Sequence, residues 1–421
     1  MRRLALAVLL GLAFAPFPGA ASPPLEPELL FDLWAVYQTT GDRPYYTNQL
    51  DPGGHLVAWA GENERILVLE VSSGLLREVP YPEHARGPLH WSPDGAWITF
   101  TFGSSLHFGS DPDPDVWVVH AGDGTSANCT AGNACDAEAD PWIDLLPSWR
   151  SADSIAFVRL MLDNLDGPAE VRTVSVTACG DLDFPADTDA SQSLRFLPEA
   201  FPAEFFIEEP LVWSPNGERV ALLSQGGSYA GIWILDTVAT GTDQFIHTSA
   251  FAEGFPSTCD PARVRLTSPA WADGGSRLLV MASDSDSGLT NLLLIEACTG
   301  VLTPVFSHAD YADEQPPSSP CDNGRTGAFV GPIQAVVLPG GTSFLTLHRE
   351  AGESHEEVST IAIRHYSIIE GQAIPQDTAT FTEPPQEVLW WSGRRKINGM
   401  GDNGVALLLN RYVVRFNLNE L

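Results

Sequence analysis

The sequence predicts an all-β protein folded as a single β-propeller of four-stranded antiparallel blades, and three observations lead there. A short motif recurs: a tryptophan, a Pro-Asp-Gly type of turn, then a brief apolar strand. It is complete at Trp91-Ser92-Pro93-Asp94-Gly95 with Ile98 and Phe100 after it, and at Trp213-Ser214-Pro215-Asn216-Gly217 with Val220 and Leu222 after it; weaker copies begin at Leu50, Trp149, Trp271, Val337 and Trp391. Each interval holds apolar runs of strand length without helical periodicity. No long Gly/Ser or Pro linker separates the copies, so the array reads as one domain built from repeated units.

From the N-terminus, Arg2 and Arg3 precede an apolar run from Leu4 to Ala15, and Gly19-Ala20-Ala21 offers a small-residue cleavage site before Ser22. This is the pattern of a secretory signal over residues 1–21. The run is too short for a membrane span and no later stretch approaches that length. The mature chain, residues 22–421, is expected to be exported to a periplasmic or extracellular space, without membrane insertion and with a monomer as the default.

Each copy then reads alike. Pro with Asp or Asn presets a tight turn, and Gly supplies the left-handed conformation a short hairpin needs. Second strands follow at Trp97 to Phe100, Ile155 to Val158, Val220 to Leu223, Leu278 to Met281 and Phe344 to Leu347. Third strands are expected at Ile66 to Val71, Val116 to His120, Val171 to Val176, Ile232 to Asp236, Leu292 to Glu296, Thr360 to Tyr366 and Tyr412 to Leu418. A fourth, less regular strand precedes the next copy. An open row of such sheets would leave long edges exposed, and closing it into a ring leaves only short ones. The copies count seven blades, with six or eight as alternatives. The last copy has room for only three strands before Leu421, so Leu29 to Tyr37 is expected to supply its outermost strand and close the ring. The tryptophans belong between neighbouring blades, where their large apolar area is buried.

The formal charge is −32; without Arg2 and Arg3 the chain keeps 20 basic and 54 acidic residues, a charge of −34, and Lys396 is its one lysine. Such a surface repels nucleic acid and anionic membranes and suits a salty or open environment. The six cysteines are Cys129, Cys135, Cys179, Cys259, Cys298 and Cys321. An even count in an exported chain suggests disulfides, and six cysteines allow fifteen connectivities. Cys179 and Cys298 fall at the ends of third strands, the other four in connections to the next blade. Bonds Cys129–Cys135 and Cys259–Cys321 are therefore expected, with Cys179 and Cys298 as thiols.

The motif at residues 91–100 and 213–222 resembles the WD-like propeller repeat of the TolB type, which is also seen in the propeller domains of prolyl oligopeptidase-like enzymes. The resemblance is fair at 149–157 and 271–280 and weak at 50, 337 and 391. Copy three has Arg150-Ser151-Ala152-Asp153 in place of the turn, and copy seven has Gly393 where Pro is expected. TolB resembles a propeller preceded by a sizeable α/β domain, for which there is no room between Ser22 and Leu50, so the resemblance implies a relative rather than TolB itself and carries over no partner.

Catalytic signatures are scarce. Gly226-Gly227-Ser228-Tyr229-Ala230 lacks the last glycine of a nucleophile elbow. His348, His355 and His365 fall in copy six, where they could hold a metal, but Glu350, Glu353, Glu356 and Glu357 mark an ordinary acidic loop. Acidic runs recur between second and third strands: Asp111, Asp113 and Asp115 in copy two, Asp163, Asn164 and Asp166 in copy three, Asp284 and Asp286 in copy five. Alternating carboxylates suit calcium, a hard cation wanting several oxygens; plain polar turns are the other reading. The calcium candidates are Asp111, Asp113, Asp115, Asp284 and Asp286. Asn128-Cys129-Thr130 fits a glycosylation acceptor in a eukaryotic host.

The expected function is therefore that of an exported, non-enzymatic scaffold binding a protein or small ligand on one face, with calcium as a candidate cofactor. The alternative is a hydrolase or lyase with a metal at the central channel.

Overall fold

Four short strands joined by hairpins recur along the chain, each run bounded by the turn chemistry of the repeated motif. The computed structural model describes residues 28–33, 36, 49–53, 55–60, 66–79, 85–102, 115–130, 142–161, 169–179, 191–196, 211–224, 230–238, 243–252, 255, 264–284, 289–306, 332–338, 340–350, 360–369, 372–382, 396–398, 405–409 and 412–416. The strands, in chain order, are β1 (Glu28–Asp32), β2 (Gln49–Leu50), β3 (Leu56–Ala60), β4 (Ile66–Glu70), β5 (Leu76–Val79), β6 (Ala85–Trp91), β7 (Trp97–Phe102), β8 (Asp115–His120), β9 (Ser126–Asn128), β10 (Trp142–Ser151), β11 (Ser154–Met161), β12 (Glu170–Ser175), β13 (Gln192–Phe196), β14 (Val212–Trp213), β15 (Arg219–Ser224), β16 (Gly231–Asp236), β17 (Gln244–His247), β18 (Val264–Ala272), β19 (Arg277–Asp284), β20 (Thr290–Glu296), β21 (Leu302–Phe306), β22 (Pro332–Val337), β23 (Ser343–Glu350), β24 (Thr360–Ile369), β25 (Gln372–Thr382), β26 (Lys396–Asn398), β27 (Val405–Leu409) and β28 (Tyr412–Phe416). A short helix, α1 (Thr248–Phe251), follows β17.

Among the described residues these form seven antiparallel four-stranded sheets. Six are built from consecutive strands, the first from β2 to β5 and the sixth from β22 to β25. The seventh has the order β1-β28-β27-β26, so the N-terminal strand lies beside the C-terminal one, Leu29 opposite Val414 and Asp32 opposite Tyr412. The paired segment stops at Asp32, short of the expected Tyr37. The first strands lie against one another in order, β2 by β6, β6 by β10, and so on to β22 by β26, with β26 beside β2.

The core lies between the sheets. Strands buried on both faces read as unbroken apolar runs, and their alternate residues serve different neighbours. In β4, Ile66 and Val68 pack with Leu89, Trp91, Ile98 and Phe100 of the second sheet, while Leu67 and Leu69 pack against Leu30, Phe31 and Leu33 around β1. In β19, Leu278 and Val280 face the fourth sheet and Leu279 and Met281 face the sixth. Fully burying one such side chain stabilises by about 1.5–3 kcal/mol.

The two complete motifs fold identically. Ser92 Oγ donates to Asp94 Oδ1 (2.5 Å) and accepts from Trp97 N–H (2.9 Å); Ser214 Oγ donates to Asn216 Oδ1 (2.7 Å) and accepts from Arg219 N–H (2.9 Å). Gly95 and Gly217 sit at φ +71° and +68°, where a Cβ would be strained. Copy three departs in sequence but keeps the device one residue later: Ser151 Oγ donates to Asp153 Oδ1 at 2.6 Å. The extra residue, Arg150, is taken up by a register shift between Trp149 and Ser151.

The start of copy seven, at Trp391, lies outside the described residues; beyond it β26 pairs with β27, Lys396 opposite Leu408 and Asn398 opposite Ala406. One expectation is corrected. Cys129 bonds Cys179, with Cα atoms 4.3 Å apart, rather than Cys135. The expectation set strand ends of opposite faces apart. Instead β9 is only three residues long, a 3-10 turn over Val176–Ala178 folds the chain back after β12, and both cysteines join the cluster that packs the second sheet on the third. Cys298 is a free, exposed thiol; Cys135, Cys259 and Cys321 lie outside the described residues, as do residues 1–27, where the export signal was expected.

Candidate functional site

Among the described residues the repeated turns occupy the same end of their sheets. At the opposite end each second strand finishes and each third strand begins. Six acidic, arginine or histidine side chains are buried among the described residues: Asp51, Asp144, Arg159, Glu170, Asp284 and His348. All but Asp51 sit toward this opposite end, which makes it the candidate functional face. Asp51 serves its own turn, its carboxylate accepting from the N–H groups of Gly53, His55 and Leu56.

Third-sheet residues form the densest cluster. Asp144 on the first strand stands opposite Arg159 on the second, and Arg159 opposite Glu170 on the third. Arg159 grips Asp144 with two hydrogen bonds, Nε to Oδ1 at 2.7 Å and Nη2 to Oδ2 at 2.6 Å. Arg172, two residues on from Glu170 and on the same face, donates to Glu170 Oε1 at 2.5 Å and to Ser191 at Oγ (2.7 Å) and at its carbonyl (2.8 Å). Charges thus alternate outward as Asp144, Arg159, Glu170, Arg172 and sum to zero. Asp144 and Arg159 are 2 % and 5 % exposed. Burying such ions costs several kcal/mol each, recovered only through close pairing with every donor and acceptor matched. The cluster lies on the face carrying Ile155, Phe157 and Val174, which pack toward the second sheet; the Arg159 guanidinium is 5.6 Å from the Phe157 ring centroid.

In the sixth sheet, His348 hydrogen-bonds Thr346 Oγ1 through Nε2 at 2.7 Å. Burial, with the nearby Arg364 charge second, lowers its pKa from 6.5 to about 3, so the imidazole is neutral near pH 7. Leu345 is the residue opposite His365, three positions from His348. That odd offset puts His348 and His365 on opposite faces of the sheet. A histidine convergence, the less favoured reading of copy six, is therefore not formed by these two, and His355 lies outside the described residues.

Two of the five calcium candidates, Asp115 and Asp284, are described, and they lie in different sheets. Asp115 opens β8 in the second sheet and accepts from Asn128 Nδ2 at 2.7 Å, tying β8 to β9. The same bond engages the amide of the Asn128 acceptor pattern. Asp284 ends β19 in the fifth sheet, 1 % exposed, its N–H bonded to Leu289 O at 3.0 Å. Asp111, Asp113 and Asp286 lie outside the described residues, as do Asp163, Asp166 and Ser228. Among the described residues no three His, Cys, Asp or Glu side chains are grouped so as to hold a metal ion. The Asp144 to Arg172 cluster went unread in the sequence. Its signal was there: charged residues at alternate positions of otherwise apolar strands, as in Glu170-Val171-Arg172, point inward on a buried face.

No protein-family model and no curated protein matches the sequence. Solved structures do resemble the fold. An oligogalacturonate lyase in complex with manganese aligns over 94 % of this chain and 96 % of its own, at 9 % identity and a TM-score of 0.50. An oligogalacturonate lyase from Vibrio parahaemolyticus aligns over 94 % and 97 %, at 10 % identity and 0.50. TolB from Acinetobacter baumannii aligns over 82 % and 70 %, at 13 % identity, with a TM-score of only 0.38. The fold is a β-propeller of the kind shared with the lyases. Identities this low carry fold and nothing finer.

Proposed function

We propose that the chain is a seven-bladed propeller closed by its N-terminal strand, exported by the signal at residues 1–21 into an oxidising space, and that it acts as a binding scaffold rather than as an enzyme. Seven sheets, the pairing of β1 with β28 and the contact of β26 with β2 support the closed ring. The Cys129–Cys179 bond supports an oxidising compartment. One observation carries the scaffold reading. Three of the five buried ionisable groups of the candidate face are held in ion pairs, Asp144 with Arg159 and Glu170 with Arg172, which is what blade-stabilising groups do. A catalytic acid or base must instead meet a substrate.

The fold likeness to a manganese-bound lyase defines the competing reading, a metal-dependent hydrolase or lyase at the channel. One experiment separates them. Purified full-length protein is incubated with oligogalacturonate, with and without manganese, while absorbance follows the unsaturated product; its metal content is measured in parallel. The scaffold reading expects no turnover with either preparation. Manganese-dependent elimination would overturn it. Calcium is tested on the same material: a rise in melting temperature with calcium, reversed by EDTA, is expected if the acidic connections bind it.

A further inference from the structure

Trp149, Trp213 and Trp271 each give their indole N–H to an acceptor in the preceding sheet. Trp233 does not. It sits in β16, only 7 % exposed, and among the described residues nothing accepts from its Nε1–H. A buried donor without a partner is costly and calls for an explanation. A water is a poor one, because buried waters hold two to four polar partners. Trp233 is flanked across its sheet by Leu222 and Phe245, within the apolar cluster between the third and fourth sheets. The polar side chains next along the same face are committed: Ser224 Oγ donates to Gly231 O at 3.4 Å, and His247 Nδ1 accepts from Ser249 N–H at 3.0 Å.

This seam also differs from its neighbours in how its outer half is closed. Arg77 ties the first sheet to the second through Gly122 O at 3.1 Å, and the Cys129–Cys179 bond ties the second to the third. Gln244 ties the fourth to the fifth through Cys298 O at 3.3 Å, and Phe306 of the fifth packs on Tyr366 of the sixth, ring centroids 4.6 Å apart. Between the third and fourth sheets the outer half is filled by Trp233 and Phe245, stacked at 4.3 Å, and both rings belong to the fourth sheet. Gly231 makes room for the stack, since a Cβ there would come within 2.8 Å of the Phe245 ring. The third sheet answers with Leu194 of β13. Leu194 and Phe245 are half-buried, and Gln192 and Ser193 beside Leu194 are exposed, so the Phe245 ring stands between Trp233 and solvent.

The surroundings of the indole select a ligand. Side chains packed in this cluster, Leu160, Val171, Leu222 and Leu235 among them, are apolar. A charge would be costly to desolvate there, whereas one acceptor oxygen would satisfy the N–H. We propose that this seam takes up a small neutral ligand with an apolar body and a carbonyl oxygen: the body enters between β13 and β17 by displacing the Phe245 ring, and the carbonyl accepts from Trp233 Nε1–H. The site faces a different seam from the Asp144 to Arg172 cluster, which looks toward the second sheet, and stands whether the chain is a scaffold or an enzyme.

The probes are cyclohexanone and methylenecyclohexane, near-isosteres of which only the first carries an acceptor oxygen. Each is titrated into the full-length protein while proton–nitrogen NMR follows the Trp233 indole N–H, assigned by its loss in Trp233→Phe. In the free protein this proton should resonate upfield of the hydrogen-bonded indoles of Trp149 and Trp271. Cyclohexanone should move it downfield in a saturable way, and methylenecyclohexane should not. By saturation transfer to the probe, Trp233→Phe should bind cyclohexanone roughly five- to tenfold more weakly, for the loss of one hydrogen bond. Phe245→Ala should bind it roughly threefold more tightly, because the open form no longer has to be populated against the stack. Cross-relaxation of the free Trp233 indole with a long-lived water would show that water holds the N–H and would overturn the proposal. Equal shifts with both probes, no shift with cyclohexanone, or weaker binding to Phe245→Ala would overturn it as well.

Discussion

The indole N–H of Trp149 donates to the main-chain carbonyl of His90, 2.9 Å away in the preceding sheet. The same relationship recurs. Trp271 donates to the carbonyl of Val212 at 2.9 Å, and Trp213 donates to Ser148 Oγ at 3.1 Å. In each case the acceptor belongs to the residue just before the tryptophan of the previous copy. The motif tryptophan is thus a joint between sheets: its ring fills the seam, and its one polar group is satisfied by the neighbour. A second joint runs beside it at the turns. Arg150, the extra residue of copy three, donates to Gly217 O at 3.0 Å and lies 5.4 Å from the Trp213 ring centroid; Arg219 reaches Gly275 O at 3.3 Å.

Replacing Trp149, Trp213 or Trp271 by Phe removes the hydrogen bond while keeping most of the apolar area. Each change should cost about 1–3 kcal/mol, and Ala at the same position about 3–5 kcal/mol, measured by urea unfolding. A Phe variant as stable as the parent would show that the joint is packing alone.

The disulfide couples two blades across fifty residues of chain. Closing a loop of that length in the unfolded state is worth about 4 kcal/mol. Cys129→Ala with Cys179→Ala should lower stability by roughly that amount, and non-reducing peptide mapping should recover the 129–179 linkage. A bond from Cys129 to Cys135 in the map would restore the expectation from sequence.

How much was legible follows from where the physics is local. The hairpin turns and third strands were readable because each is decided by a few neighbouring residues: Pro93, Asp94 and Gly95 set a turn without help from the rest of the chain. The disulfide and the Asp144 to Arg172 cluster were not readable in the same way. Both depend on which faces of different strands meet, and a period-two pattern says that a residue points inward without saying what it meets. Of the five acids proposed for calcium, the two described ones, Asp115 and Asp284, are in different sheets.

Asp144 and Arg159 give a prediction with an internal control. Asp144→Ala leaves a buried guanidinium without its bidentate partner and should cost about 3–5 kcal/mol, as should Arg159→Ala. Asp144→Leu combined with Arg159→Met should recover most of that loss, because an apolar pair of similar volume removes both desolvation costs. Equal losses for the double and the single variants would mean that the pair does more than satisfy itself.

His348 predicts a pH dependence. Its folded pKa, about 3, lies below the unfolded 6.5, so the unfolded chain binds a proton that the folded one refuses. Its contribution to stability is intact above pH 6.5 and is lost as pH falls toward 3, at up to about 1.4 kcal/mol per pH unit. His348→Gln should lose less stability than the parent between pH 6.5 and pH 4, measured by urea midpoints at each pH. Parallel curves for the two proteins would contradict this.

Closure of the ring by β1 is the claim on which the seven-bladed account stands, and its most direct test is thermal unfolding of a variant lacking residues 22–40, with and without a synthetic peptide of that segment. The account predicts a severe drop in melting temperature, with the peptide restoring a substantial part of it by re-forming the pairing of Glu28–Asp32 with Tyr412–Arg415. A melting temperature unchanged by the deletion would contradict it.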